Sequence, residues 1–327
     1  MIMHVSIIIN NHNYEKYIVE AIKSALNQTH KNREVIVVDD GSTDSSRDLI
    51  KNYKKEVSAV YKENGGQASA LNAGFEASSG DLILFLDADD YLQPEAVETA
   101  ASMWETGVAK VQYRLQCIDE NGNPLDDFVK PRWEKSLPSG YVKEQIRERG
   151  DYVTSPTSGN LFSRDALEDI FPIPPKEWRI CADAYMYLKA PFYGSVRSLN
   201  CTLGHYRIHG ENAWQTGGAE PEMLSRRVRV HLQKQELIAK LLGRDFEFPL
   251  FTNMNFARDR MVSLVLRPDD HPLSDDDRIS AMWYGLRSAY NSDYASCRRR
   301  IKQSMGYIGL GAMPRVVAKH ILDRYFN

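Results

Sequence analysis

Short apolar runs alternate with stretches of helical spacing through the first 108 residues, and this alternation restricts the chain to a small set of folds. His4–Ile9, Glu34–Val38, Val57–Tyr61 and Leu82–Leu86 are rich in β-branched and aliphatic residues, the composition of strands buried on both faces. Between the first two, apolar residues recur at Tyr17, Ile18, Ala21, Ile22, Ala25 and Leu26, which predicts a helix within Tyr14–Gln28. Helices are predicted again over Thr43–Tyr53 and Gly66–Ala77, and Pro94 stands in the favoured first turn of one reaching Trp104. Strand and helix in regular turn imply an α/β fold: a mostly parallel sheet flanked by helices. Ligands of such sheets bind beyond the carboxyl ends of the strands. Polar clusters occupy those ends at Asn10–Asn13, Asp39–Ser42 and Asp87–Asp90.

From Ala109 the pattern changes. Val111–Ile118 reads as a strand, Asn121–Pro124 as a turn and Asp126–Gly140 as an irregular loop. Thr157–Arg164, Asp183–Lys189 and Thr202–Arg207 read as loop-strand, helix and strand. Gly210–Glu222 is rich in glycine and polar residues, which marks a boundary. Helical patterns then cover Pro221–Leu242, Phe251–Leu266, Asp275–Ala289 and Met313–Tyr325. The expected division is therefore 1–215, in halves 1–108 and 109–215, followed by a helical C-terminal region over 216–327.

With 43% hydrophobic and 26% charged residues, the composition is that of an ordinary globular protein. A formal net charge of -3 gives no broad basic face for nucleic acid. Cys117, Cys181, Cys201 and Cys297 lie far apart with no CxxC pair, and read as reduced thiols of a cytosolic protein. The first strand begins too close to Met1 for a signal peptide, and no apolar run reaches the roughly 20 residues of a spanning helix. The expected location is the cytoplasm, or the inner face of the cell membrane as a peripheral protein.

The chemistry concentrates in three clusters. Leu82–Leu86 delivers Asp87-Ala88-Asp89-Asp90 to the ligand edge, where crowded carboxylates repel unless a cation holds them. Carboxylate oxygens suit Mg²⁺ or Mn²⁺, ions that complete their shells with phosphate oxygens and can neutralise a departing diphosphate. The competing reading is an acidic turn that only caps the helix at Pro94. Asp39 either caps the next helix or accepts a hydrogen bond from the imide N–H of uracil or another base. Ser42, Thr43 or Asp44 is expected to do the capping, which frees Asp39 for the ligand. Asn64-Gly65-Gly66-Gln67 leads into a helix carrying Asn72 and Gly74. Paired glycines there can offer backbone N–H groups to an anion or admit a ligand closely, although a plain turn with a helix cap would also explain them.

Taken together, Val5–Asn13, Val37–Asp44, Asn64–Gly74 and Phe85–Asp90 resemble the inverting nucleotide-sugar glycosyltransferases of family two, which have the GT-A fold. The resemblance covers roughly residues 4–215 and leaves the helical tail uncovered. It implies nucleoside binding by Asn10 to His12 and by Asp39, and metal binding by the DXD motif Asp87-Ala88-Asp89, with Asp89 the direct ligand. Gln67, Asn72, Asp87 and Ala88 fall on the same donor side. Two departures stand out. The first loop has Asn10-Asn11-His12-Asn13 where Pro-Thr-Tyr-Asn is frequent, so base stacking passes to His12. Leu71 precedes Asn72 where an arginine is frequent, so diphosphate charge falls to the metal, to helix N-termini or to Arg207.

The resemblance also assigns the general base to Asp183, in Arg179–Tyr185, where an ordinary first-turn carboxylate is the competing reading. Ser158–Arg164 resembles the acceptor-side stretch. Tyr206–Asn212 resembles a closing motif in which His209 completes the metal shell or contacts the diphosphate and Arg207 binds phosphate oxygens. The implied reaction moves a hexosyl group from an NDP-sugar to a hydroxyl of a saccharide or lipid-linked saccharide, in surface polysaccharide or glycolipid synthesis. UDP is the usual nucleotide of such enzymes; GDP and dTDP stay open. A sugar nucleotidyltransferase would carry a basic Gly-rich loop after the first strand, which Asn10–Asn13 is not. A non-catalytic carbohydrate-binding relative would have no need of Asp39, Asp89 and Asp183 together.

Between Arg298 and Arg324 the tail holds seven Lys or Arg residues against Asp323 alone, interleaved with Met305, Ile308, Leu310, Met313, Val316, Val317, Ile321 and Leu322. It reads either as a basic amphipathic segment on an anionic membrane or as a helical subdomain packed on the catalytic core or on a second subunit.

Overall fold

Each of the four apolar runs forms a strand, and the first two extend further than their apolar residues. The computed structural model describes residues 2–125, 136–210, 212, 221–243, 254–291 and 297–326. Most of the loop expected over Asp126–Gly140 and of the boundary segment Gly210–Glu222 lies outside them. The described chain divides into two compact units, Met1–Ile146 with Asp151–His209, and Arg147–Gly150 with Gly210–Asn327.

In the first unit β1 (Val5–Asn11), β2 (Arg33–Asp40), β3 (Ser58–Lys62) and β4 (Leu82–Asp87) alternate with α1 (Ile18–Leu26), α2 (Ser46–Lys51) and α3 (Gln67–Ala77). Then come β5 (Tyr91–Leu92), α4 (Ala96–Ser102), β6 (Val108–Ile118), α5 (Lys143–Arg149), β7 (Asn160–Ser163), α6 (Arg164–Glu168), α7 (Ala182–Lys189) and β8 (Ser195–Arg207). They form one eight-stranded sheet in the order β3-β2-β1-β4-β7-β6-β8-β5. The half that was read as parallel is parallel: β1 pairs with both β2 and β4, and β2 with β3. Beyond it the sheet is mixed, because β7 runs antiparallel between β4 and β6.

Successive residues of β1 serve opposite faces, as the pleat requires. Val5, Ile7 and Ile9 are fully buried in a core shared with Ile18, Ala21, Ile22 and Ala25 of α1. Ile8 and Val38 face α3, where Gly74 lets the helix approach: a Cβ there would lie 2.3 Å from Ile8 Cγ2. Fully burying such side chains contributes about 1.5–3 kcal/mol each, so register is strongly held. The connection reverses between β1 and β4, the topological switch point at which open α/β sheets bind ligands. The register there sets Asn10 beside Asp87 and Asn11 beside Asp39.

The second unit consists mainly of α8 (Pro221–Leu242), α9 (Met254–Leu266), α10 (Arg278–Asn291), α11 (Cys297–Ala312) and α12 (Arg315–Phe326). Its core includes Leu224, Val228, Phe256, Met261, Val265, Ala281, Tyr284, Tyr307 and Leu322. Leu310 and Met313 pack against it too, so three of the tail's apolar residues are internal. Where the sequence predicts a single helix from Met313, the structure has α11 as well. No helix among the described residues is long and apolar enough to cross a membrane.

Candidate active site

The loops after β1 and β2 are stitched together by short polar side chains. Asn11 Nδ2 donates to Asp39 Oδ1 (3.1 Å) and Ser42 Oγ (3.0 Å), and the Asn13 N–H donates to the same Ser42 oxygen (3.0 Å). Asp39 is fully buried and also accepts from the Ser42 N–H (3.2 Å) and Arg47 Nε (2.6 Å). Burial opposes its ionisation, yet these donors hold the carboxyl below the usual aspartate range. The Ser42 side chain is a further donor to this carboxylate and the strongest of those that lower it. Of the three capping candidates, Asp44 serves α2, accepting from the Ser46 N–H at 3.0 Å. His12 is half-buried at this edge, its Nε2 3.0 Å from Asn64 Nδ2. Arg47, which the sequence reading passed over, also lies 5.9 Å from the ring centre of exposed Tyr61.

The paired glycines act differently from expectation. The Gly65 and Gly66 N–H groups donate to the Asp40 carboxylate (2.9 and 2.7 Å), which Lys62 Nζ also meets at 2.6 Å. They are thus already committed to a side chain and do not form an anion cradle. Gly66 has φ +85°, and a Cβ there would lie 2.7 Å from the Arg179 carbonyl oxygen, so the close approach is to the chain's own backbone. The Gln67 N–H donates to that carbonyl (2.9 Å), and Gln67 Oε1 accepts from the Ala182 N–H (2.8 Å). The glycine turn and Gln67 therefore anchor the N-terminus of α7.

Asn72 is also held by the chain itself. Its Nδ2 donates to the Ile173 carbonyl and its Oδ1 accepts from the Ile173 N–H, both at 2.8 Å, so the amide is spent as a clamp on a distant loop. Asn72→Ala is expected to lower stability by about 1–3 kcal/mol through two orphaned backbone groups. Thermal melts should show this with the nucleotide-sugar Kd unchanged; a weakened Kd at normal stability would restore Asn72 to the donor site.

The acidic loop after β4 sits at the switch point. Asn10 Nδ2 donates to Asp87 Oδ1 (2.9 Å), while Asn10 Oδ1 is buried without a hydrogen-bond partner among the described residues. Burial first, then the charge of Asp89, pushes the Asp87 carboxyl up to about 7. Asp90 is pushed well above its usual range by burial and by the charges of Asp89 and Asp87. It is latched by Ser158 Oγ (2.6 Å) and the Arg207 N–H (2.9 Å). Ala88 is buried and contributes no polar side chain. His209 Nε2 lies 3.1 Å from Asp89 Oδ2, its ring held between Tyr14 and Tyr17 at centroid distances of 5.7 and 5.1 Å.

Arg207 is engaged on every side by the chain's own groups. It is 2% exposed; Nε donates to the Asp89 carbonyl (2.9 Å), one terminal nitrogen to the Glu120 carbonyl (3.1 Å), and the other pairs with Glu20. Its face lies 4.7 Å from the Tyr17 ring centre. A guanidinium so engaged braces the acidic loop from within.

Asp183 stands in the first turn of α7, preceded by Cys181 in the left-handed conformation (φ 59°). That turn, unusual for a residue other than glycine, brings Ala182 to Gln67 and opens the helix at Asp183. The negative charge of Asp183 is among the causes that raise Asp87, so the two carboxylates share one electrostatic environment although 96 positions separate them. Lys110 belongs to it too. It is fully buried on β6, bonded to Gln112 Oε1 (3.0 Å) and Thr154 Oγ1 (2.6 Å), 5.0 Å from the Tyr152 ring centre. Burial holds its ammonium well below the ordinary lysine range, and Asp183 is the larger of the two charges that oppose this. The one available signal for it was a lysine inside an apolar run.

Among the described residues no three carboxylate, imidazole or thiol groups form a ready-made metal cage. The crowded carboxylates and the orphaned Asn10 oxygen nevertheless fit a hard divalent cation that takes its remaining ligands from phosphate.

Relatives are consistent with this geometry. A glycosyltransferase of Nostoc sp. described as uncharacterized, alr2836, is 38% identical over 218 residues, 64% of this chain and 66% of that protein. An uncharacterized glycosyltransferase of Rickettsia bellii is 42% identical over 213 residues, 64% of this chain but only 29% of its partner. The chain thus spans less than two thirds of the length of either. Among solved structures, S. aureus TarS in complex with UDP-GlcNAc superposes with TM-score 0.53 at 16% identity, covering 98% of this chain and 92% of that one. The mannosyltransferase PcManGT of Pyrobaculum calidifontis, in complex with GDP-Man and Mn²⁺, superposes with TM-score 0.53 at 15% identity, covering 99% and 85%. The fold is that of GT-A glycosyltransferases. Residues 6–171 match the family described as Glycosyl transferase family 2, and the chain belongs to that family.

Proposed function

We propose that the first unit transfers a sugar from a nucleotide-diphosphate donor, UDP-linked in first place, to an acceptor hydroxyl with inversion at the anomeric carbon. The observation that carries this reading is the grouping of Asn10, Asp87, Asp89 and His209 at the switch point of the sheet, with Asn10 on Asp87 and His209 on Asp89. Asp39 would accept the imide N–H of the base, with His12 and Tyr61 as candidate surfaces for its ring. Asp89, with His209 and Asp87, would hold a Mn²⁺ or Mg²⁺ ion, whose contribution is to neutralise the leaving diphosphate. Asp183 would take the proton of the acceptor hydroxyl as its oxygen bonds to the anomeric carbon and the bond to the diphosphate oxygen breaks. TarS and PcManGT, in complex with UDP-GlcNAc and with GDP-Man and Mn²⁺, support a nucleotide-sugar donor. The relative TuaG of Bacillus subtilis, 35% identical over 130 residues and named as a candidate glycosyltransferase of teichuronic acid biosynthesis, supports a cell-surface saccharide as acceptor.

Thermal shift against UDP-, GDP- and dTDP-sugars, with and without Mn²⁺, tests the donor. At 100 times Kd a true donor stabilises by about 2.7 kcal/mol. A UDP-sugar is expected to shift the melt most, and with Mn²⁺ more than without. Equal, metal-indifferent shifts with all three would reject the reading.

A further inference from the structure

The second unit carries a surface that its own core does not explain. Among the described residues fourteen large apolar side chains lie exposed, and nine of them belong to α10, α11 and α12. On α10 they are Ile279, Trp283 and Tyr290, and on α11 Ile301, Met305 and Ile308. Spacings of three, four and seven residues put each set in one stripe along its helix.

The two stripes share a side. Arg278 at the start of α10 donates to the carbonyls of Leu310 and Met313 at the end of α11, and Arg300 near the start of α11 donates to the Tyr290 carbonyl at the end of α10 (3.3 Å). The helices therefore run antiparallel. Their seam is Gly285 against Tyr307 and Gly311 against Met282, where added Cβ atoms would approach to 2.6 Å. On each helix the exposed stripe lies roughly a quarter turn from that seam. Reversing one helix preserves the side, so both stripes emerge together. Ala281, Tyr284 and Ser288 occupy the opposite face of α10, with Tyr284 packed on Phe256 of α9 (centroids 5.5 Å apart).

Charge identifies the occupant. From Arg278 to Asn327 there are nine Lys or Arg and two Asp, within a chain whose formal net charge is -3. Exposed Arg287 and Lys302 flank the stripes, and Lys319 adds to the basic surface on α12. An apolar stripe with an aromatic pair, bordered by cations, suits the boundary between anionic headgroups and acyl chains. A second copy of the chain would bring like charges face to face. We infer that the outer face of α10 and α11 docks on an anionic lipid surface. The inference stands independently of glycosyl transfer.

Co-sedimentation of the full chain with vesicles rich in phosphatidylglycerol, against vesicles of phosphatidylcholine alone, tests it. Partitioning is expected to be at least about tenfold higher on the anionic vesicles and to fall in high salt. The pair Trp283→Asp with Met305→Asp should lose that binding about tenfold or more while keeping the wild-type melting temperature. Because apolar-to-charged changes can unsettle a small helical unit, Lys302→Glu with Lys319→Glu provides a second route and should reduce binding to anionic vesicles only. Equal partitioning on both vesicle types, or unchanged binding by both variants, overturns the inference. So does a wild-type dimer that the Trp283→Asp, Met305→Asp pair turns into monomer, since the face would then be an interface between copies.

Discussion

Asp183→Asn is expected to reduce sugar transfer by about 10²–10⁴-fold while the donor Kd stays within about twofold of wild type. Asparagine has almost the same shape, so the first turn of α7 should survive. That turn is held by the Ala182 N–H on Gln67 Oε1 and the Gln67 N–H on the Arg179 carbonyl, neither of which involves Asp183. What disappears is a charge able to receive a proton. Its loss should also be felt at Asp87, where the negative field of Asp183 is one of the causes that raise the carboxyl. The signature is a fall in kcat with little change in donor KM, which separates a missing base from a damaged site. Turnover within tenfold of wild type would remove Asp183 from the reaction. A loss of donor affinity matching the loss of rate would make its role one of binding.

The donor half was legible because buried parallel strands are written in a narrow alphabet. Ile7, Ile8, Ile9, Val35 to Val38 and Leu82 to Leu86 have few other uses in a soluble chain, and the polar residues that end each run mark the ligand edge. Other elements had no such signature. β8 extends back to Ser195, but Asn200 and Cys201 are exposed and interrupt the alternation that would have shown it. α11 contains Gly306, Gly309 and Gly311, each unfavourable in a helix interior, and the close seam with α10 selects it against local preference. At the site, the partners of the polar side chains had no local signature. Gln67, Asn72 and Arg207 are residue types that bind ligands well, and they bind backbone equally well. Which they do depended on Ala182, Ile173 and Asp89, each about a hundred positions away, and on glycine N–H groups that Asp40 had already taken. Local spacing carries no record of such partners.

Chelation is expected to abolish transfer, and the acidity of Asp87 supplies a companion effect on stability. A carboxyl raised by folding binds protons more tightly in the native state than in the unfolded one, so its contribution to stability falls as pH rises. For Asp87 the loss begins near its ordinary value of 3.8 and is complete above about 7. Between pH 5.5 and 7 that span is worth roughly 1–2 kcal/mol after allowance for partial exposure. Lys110 and His205, both lowered by burial, slope the other way, because their unfolded forms hold protons that the native forms lack. The wild-type profile alone therefore mixes opposing slopes, and the difference between wild type and Asp87→Asn reports Asp87 together with its push on Asp90, both of the same sign. Asn10 Nδ2 can still donate to the substituted amide oxygen, so the variant should fold. Metal-free Asp87→Asn should gain on wild type by about 1–2 kcal/mol more at pH 8 than at pH 5.5. Mn²⁺ should stabilise the wild type strongly at pH 8, weakly at pH 5.5 where protons compete, and Asp89→Asn at neither. A flat difference between the two metal-free profiles would mean that folding does not raise the Asp87 carboxyl, and full turnover after exhaustive chelation would mean that transfer needs no cation at the switch point.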